Sequence, residues 1–121
     1  MKGENWLPLQ ERAKAASGDA SSSFKLEFEP VKVGERWEVE NLCFRDNTSS
    51  PSRIDCYIRG GGWDHFVGQK QPGVAGYVYT LDRPFWVGED RILVVEFVGG
   101  GATDALEAWA TGWKWIEGEK E

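Results

Sequence analysis

Hydrophobic and polar residues alternate with a period of two over most of the chain from Phe24 onward, the pattern of strands with one dry and one wet face. FKLEFE sets Phe24, Leu26 and Phe28 against Lys25, Glu27 and Glu29, and Pro30 ends the run. In RWEVENLCFRD, Trp37 and Val39 share one parity while Leu42 and Phe44 take the other. One extra residue in a strand produces such a phase change, so a bulge is expected near Glu40 and Asn41. RIDCYIR puts Ile54, Cys56 and Ile58 on one face and Asp55, Tyr57 and Arg59 on the other, and WDHFVGQ and YVYTLD continue the series. The stretch Arg91 to Ile116 holds the two longest extended runs, joined at Gly99 to Gly101. Its second run alternates Leu106, Ala108, Ala110 and Ile116 with Trp109, Thr111, Trp113 and Trp115, so both faces of one strand are apolar.

Seven or eight strands at short spacing, with several connections longer than two residues, predict an all-β antiparallel sandwich of jelly-roll or Greek-key type over residues 24–121. Gly60 to Gly62 and Gly99 to Gly101 read as hairpin turns, since neither run matches a phosphate-binding loop or precedes a helix. Residues 1–23 differ in kind. Asn5 is placed to cap a short helix through Leu9, Arg12 and Ala16, after which SGDASSS has linker composition. That predicts a flexible N-terminal arm whose Trp6, Leu7 and Leu9 dock on a neighbour.

At 121 residues the chain is long enough for one two-layer core. The net charge of −6 repels phosphate backbones, which argues against nucleic acid as a partner. No run approaches the roughly 20 apolar residues that cross a bilayer, and the first twenty lack the apolar centre of a secretory signal, so no membrane partner is expected and synthesis is placed in the cytoplasm. Cys43 and Cys56 fall on consecutive strands that could set them face to face, but a chain kept in a reducing compartment favours free, buried thiols.

Candidate chemistry is sparse. His65 stands beside Asp64, but neighbours in a strand point to opposite faces and cannot form a dyad. The serines at 21–23 and 49–52 sit in polar loops, and Asp46, Asp82, Asp90 and Asp104 sit at strand ends and turns, where aspartate bonds nearby amides. The reading is therefore non-enzymatic, with no cofactor. Asp46, Asn47 and Asp104 have the hard oxygens calcium takes, but no EF-hand spacing accompanies them, and turn formation accounts for them without a metal.

Seven tryptophans are more than a small sandwich conceals, at about 200 Å² of ring surface each. Trp37 has core parity. Trp109, Trp113 and Trp115 then become candidates, with Trp6, Leu7 and Leu9, for a protein interface, where indoles concentrate binding energy. Trp63, Trp86, Tyr77 and Tyr79 are candidates for stacking on a sugar ring, with Asp82 and Lys114 as flanking polar groups, so a carbohydrate-binding module is the alternative reading and a glycan the alternative partner.

The succession ERWEVENLCFRDNTSSPSRIDCYI, VYTLDRPFWVGEDRILVVEF and ALEAWATGW, over about residues 35–113, resembles small accessory proteins of tailed-bacteriophage virions. The resemblance implies a capsid decoration or cement protein, or a head or tail appendage, located in the virion after synthesis in the host cytoplasm. It also implies contact with a capsid or other virion protein and a homo-oligomer such as a trimer. The matched residues are structural, so the resemblance assigns no site residues. Carbohydrate-binding modules share much of the same strand rhythm.

Overall fold

The computed structural model describes residues 5–71 and 74–117. Residues 1–4 of the expected arm, 118–121 at the end of the expected sandwich, and 72–73 of the loop before Tyr77 lie outside the described residues. Among the described residues nine strands follow in order: β1 Trp6–Gly18, β2 Ser23–Glu27, β3 Glu35–Asp46, β4 Arg53–Gly60, β5 Trp63–Lys70, β6 Tyr79–Leu81, β7 Phe85–Val87, β8 Ile92–Val98 and β9 Asp104–Ile116. They form two antiparallel sheets packed as a sandwich, one ordered β1-β9-β3-β6 with β7 also on β3, the other β2-β8-β4-β5. Both β6 and β7 pair with β3, interrupted at Asp82-Arg83-Pro84, so together they behave as one broken strand. With that counting the chain winds as a jelly roll, the all-β class and sandwich expected from the alternation.

The core comes from the inward rows of both sheets. Leu9, Trp37, Val39, Leu42, Phe44, Leu106, Ala108 and Ala110 of the first sheet meet Leu26, Ile54, Cys56, Leu93, Val95 and Phe97 of the second. The register between β3 and β9 shifts between Val39 and Asn41, where Glu40 is the extra residue, so the parity change in the sequence is a bulge. Gly112 faces that bulge with φ +152°, and a Cβ there would lie 2.1 Å from the Glu38 carbonyl oxygen. Only glycine lets the two backbones come so close.

The leading segment departs from the expectation. Residues 6–18 form neither a helix nor a free arm but an edge strand paired with β9 from Trp6↔Trp115 to Ala15↔Leu106. Arg12, Ala13, Ala15 and Ala16 have high helix propensity, yet a ten-residue ladder with β9 and burial of Leu9 and Ala13 outweigh it. Leu9 is therefore sealed in the protein's own core and cannot dock on a neighbour. From β2 to β9 there are eight strands among the described residues, within the expected seven or eight, and β1 adds the ninth. Gly60 to Gly62 do close the β4–β5 hairpin, whereas Gly99 to Gly101 carry the chain from β8 in one sheet to β9 in the other and are not a hairpin turn.

Candidate interaction face

The face of the five-stranded sheet turned away from the core collects most of the tryptophans. Register places Trp6 beside Trp115 and Trp115 beside Arg36, then Pro8 beside Trp113 and Trp113 beside Glu38, whose other neighbour is Trp86. Further along, Arg12 adjoins Trp109 and Trp109 adjoins Cys43, followed by Lys14, Glu107 and Arg45. Five indoles from three strands thus share one face. Trp6 packs edge-on to Trp86 at 5.7 Å between ring centroids.

Three arginines thread between the rings. The Arg36 guanidinium lies 4.8 Å from the centre of Trp115 and 5.2 Å from that of Trp86. Trp109 is flanked by Arg45 at 5.5 Å and Arg12 at 5.9 Å. Each such contact is worth about 0.5–1 kcal/mol at an exposed site. Glu107 holds both arginines in place, accepting from Arg45 Nε at 2.8 Å and from Arg12, and also takes the Asn47 amide at 3.0 Å. The Arg45 hydrogen bond, with that of Arg12, keeps its carboxyl below the usual glutamate range against the opposing effect of burial. In a chain of net charge −6 this is a locally cationic, aromatic surface.

The indole row covers itself only in part. Trp37 is the core tryptophan, at 3% exposure. Trp6, Trp109, Trp113 and Trp115 are half-buried, and Trp86 is 49% exposed. The other candidates lie elsewhere. Leu7 is exposed at the start of β1, and Trp63, at 69% exposure, stands at the β4–β5 hairpin with its ring 6.4 Å from His65. Tyr77 and Tyr79 contact each other at 4.8 Å, Tyr79 leaning on the core and Tyr77 exposed. The four residues suited to sugar stacking are therefore split, with only Trp86 joining the main face. Arg12, Arg36 and Arg45 carry no one-dimensional signal; they become part of the face only through cross-strand register.

Asp64 and His65 do point to opposite sides, pairing with Arg59 and Ile58 respectively. A cleft of about 480 Å³ between β5 and β6–β7 is lined by His65, Lys70, Arg83 and, among the described residues, one carboxylate, Asp82. Cys43 sits on the outer face with its sulfur 3.5 Å from Thr80 Oγ1, while Cys56 is in the core of the other sheet. β3 and β4 belong to different sheets, so the two thiols do not face one another, and both are free. Burial pushes the Cys56 thiol far above its ordinary pKa. Of the oxygens considered for calcium, Asp46 and Asp104 do meet, but the Asn47 side chain turns away to Glu107. No protein-family model matches the chain, and none of the curated proteins matches it.

Proposed function

We propose that this protein is a non-enzymatic structural component that attaches to a larger assembly through the outer face of its five-stranded sheet, the assembly being the capsid or an appendage of a tailed-bacteriophage virion. The observation that carries the reading is the gathering of Trp6, Trp86, Trp109, Trp113 and Trp115 with Arg12, Arg36 and Arg45 on one surface. Tryptophan and arginine are the side chains that dominate protein–protein binding energy, and both lose little conformational freedom when already stacked. Because β1 is part of the sheet, attachment uses a preformed face and not an ordering arm. Repetition on a shell multiplies weak contacts through effective concentration, and a trimer would present three such faces at once. Jelly rolls build many capsid domains as well as lectins, an analogy at the level of fold alone.

The experiment is sedimentation of purified protein with particles of the virus that encodes it, comparing the native chain with Trp113→Ala and Arg36→Ala. Loss of particle binding with retention of the fold supports the reading. Undiminished binding by both variants removes it. The carbohydrate reading draws on the exposed ring of Trp63; glycan-array binding lost in Trp63→Ala and kept in Trp113→Ala would favour it instead.

A further inference from the structure

We propose that Asp46 and Asp104 share a single proton, and that this proton latches the 47–52 loop to the Gly99–Gly101 turn so that closure of this end of the sandwich responds to pH. The two carboxylates are 3% and 1% exposed. Asp46 Oδ1 accepts the amides of Thr48 and Ser49, each at 3.0 Å. Asp104 Oδ1 accepts the Ser49 hydroxyl at 2.9 Å and its Oδ2 the Gly101 amide at 2.8 Å. Asp46 Oδ2, fully buried, has no donor among the described residues. It converges with Asp104 Oδ2 beneath Gly100: a Cβ on that glycine would lie 3.0 Å from the first oxygen and 2.7 Å from the second.

Two ionised carboxylates held this way repel one another in a dry setting, and an orphaned buried oxygen is costly. A hydrogen on Asp46 Oδ2 removes both problems, since the orphan becomes the donor to Asp104. A divalent cation fits less well. Calcium takes about 6–8 oxygens, whereas amide and hydroxyl donors already point into this pair. Thr48 Oγ1 is occupied by the Ala105 amide, and Gly100 closes over the gap.

The charged surroundings favour retaining the proton. From the β1–β2 turn the exposed acid Asp19, itself bonded to Ser21, interacts with Asp104. Glu107, next along the sheet, faces outward to Arg45 and Arg12. Among the described residues no lysine, arginine or histidine bonds to either aspartate. Burial first, then the hydrogen bond with Asp104, pushes Asp46 up to about 6. Asp104 also feels burial, but the bonds from Asp46, Gly101 and Ser49 outweigh it and hold its carboxyl low.

The raised group stabilises the fold fully below its unfolded pKa of 3.8, and that contribution is lost as pH rises to about 6. Over that interval the folded form alone carries the proton, and the folded-to-unfolded ratio falls by up to about tenfold per pH unit. The depressed Asp104 works oppositely, contributing above the ordinary aspartate range and losing that contribution only as pH falls through its own lowered pKa.

The test is a carboxyl ¹³C NMR titration of the full chain, with amide exchange at Ser49 and Gly101, on the native protein and on Asp46→Asn. Asparagine at 46 supplies a permanent donor to Asp104 and keeps an acceptor for Thr48 and Ser49. One carboxyl titrating near pH 6, with faster exchange above it and no such step in Asp46→Asn, is the expected result. Ordinary aspartate titration at both positions, or an unchanged exchange step in Asp46→Asn, overturns the proposal. So does millimolar calcium at pH 7.5 raising the melting temperature of the native protein and not of the variant, since a cation would then fill the gap. Should Asp46→Asn fail to fold, the native titration alone decides.

Discussion

Replacing Gly112 by alanine tests whether the backbone crossing at the bulge is what holds the aromatic face together. Gly112 has φ +152°, and an added Cβ would lie 2.1 Å from the Glu38 carbonyl oxygen and 2.8 Å from the Glu40 nitrogen, both backbone atoms that cannot swing aside. Gly62 in the β4–β5 hairpin makes the matched control: its φ is +93°, but a Cβ there meets nothing within 4 Å. Alanine at 62 therefore incurs backbone strain alone, about 1 kcal/mol. Alanine at 112 adds a collision whose relief moves β3 against β9, about 1–3 kcal/mol more. Against a total stability of about 5–15 kcal/mol, the larger loss is severe. Urea unfolding followed by circular dichroism separates the two variants, and tryptophan emission in the native baseline reports Trp113 next to the substituted site. The expected outcome is a loss of about 2–4 kcal/mol for Gly112→Ala and about 1 kcal/mol for Gly62→Ala. Equal losses would refute the argument that the crossing at Gly112 requires glycine.

Glu107→Gln removes the charge that organises Arg45 and Arg12, and should cost about 1 kcal/mol at neutral pH after allowance for the exposure of both arginines. Glu107 has a depressed pKa, so its contribution is present above the ordinary glutamate range and is lost as pH falls through the folded value; the gap between native and variant melting temperatures should therefore close in acid. Thiol labelling of the native protein should reach Cys43 and spare Cys56 until the fold is lost, because Cys56 is fully buried with its thiol pKa raised; simultaneous labelling of both would contradict the placement of Cys56 in the core.

Much of the fold was legible because alternation survives in the strands that face a core. The opposed parities of Trp37, Val39 and Leu42, Phe44 marked the Glu40 bulge directly. β1 was illegible for a physical reason: its inward row is Leu9, Glu11, Ala13 and Ala15, too small and too mixed to signal a strand. What makes it one is the ladder to β9, a contact distant in sequence. The tryptophan row of β9 could be read as surplus indole, but the arginines between the rings come from β1 and β3 and become neighbours only through register. Asp46 and Asp104 read singly as turn formers, which they are, since both bond loop amides. Their pairing depends on β3 lying beside β9, with Asp46 opposite Leu106.

Hydroxyl-radical footprinting of the tryptophans, on the free protein and on protein mixed with virus particles and recovered with them, tests the proposed attachment most directly. The face proposed here predicts protection at Trp86, Trp109, Trp113 and Trp115 with no change at Trp63, which lies outside it on the other sheet. Protection at Trp63 with the other four unchanged, or no protection at any tryptophan in particle-bound protein, would contradict it.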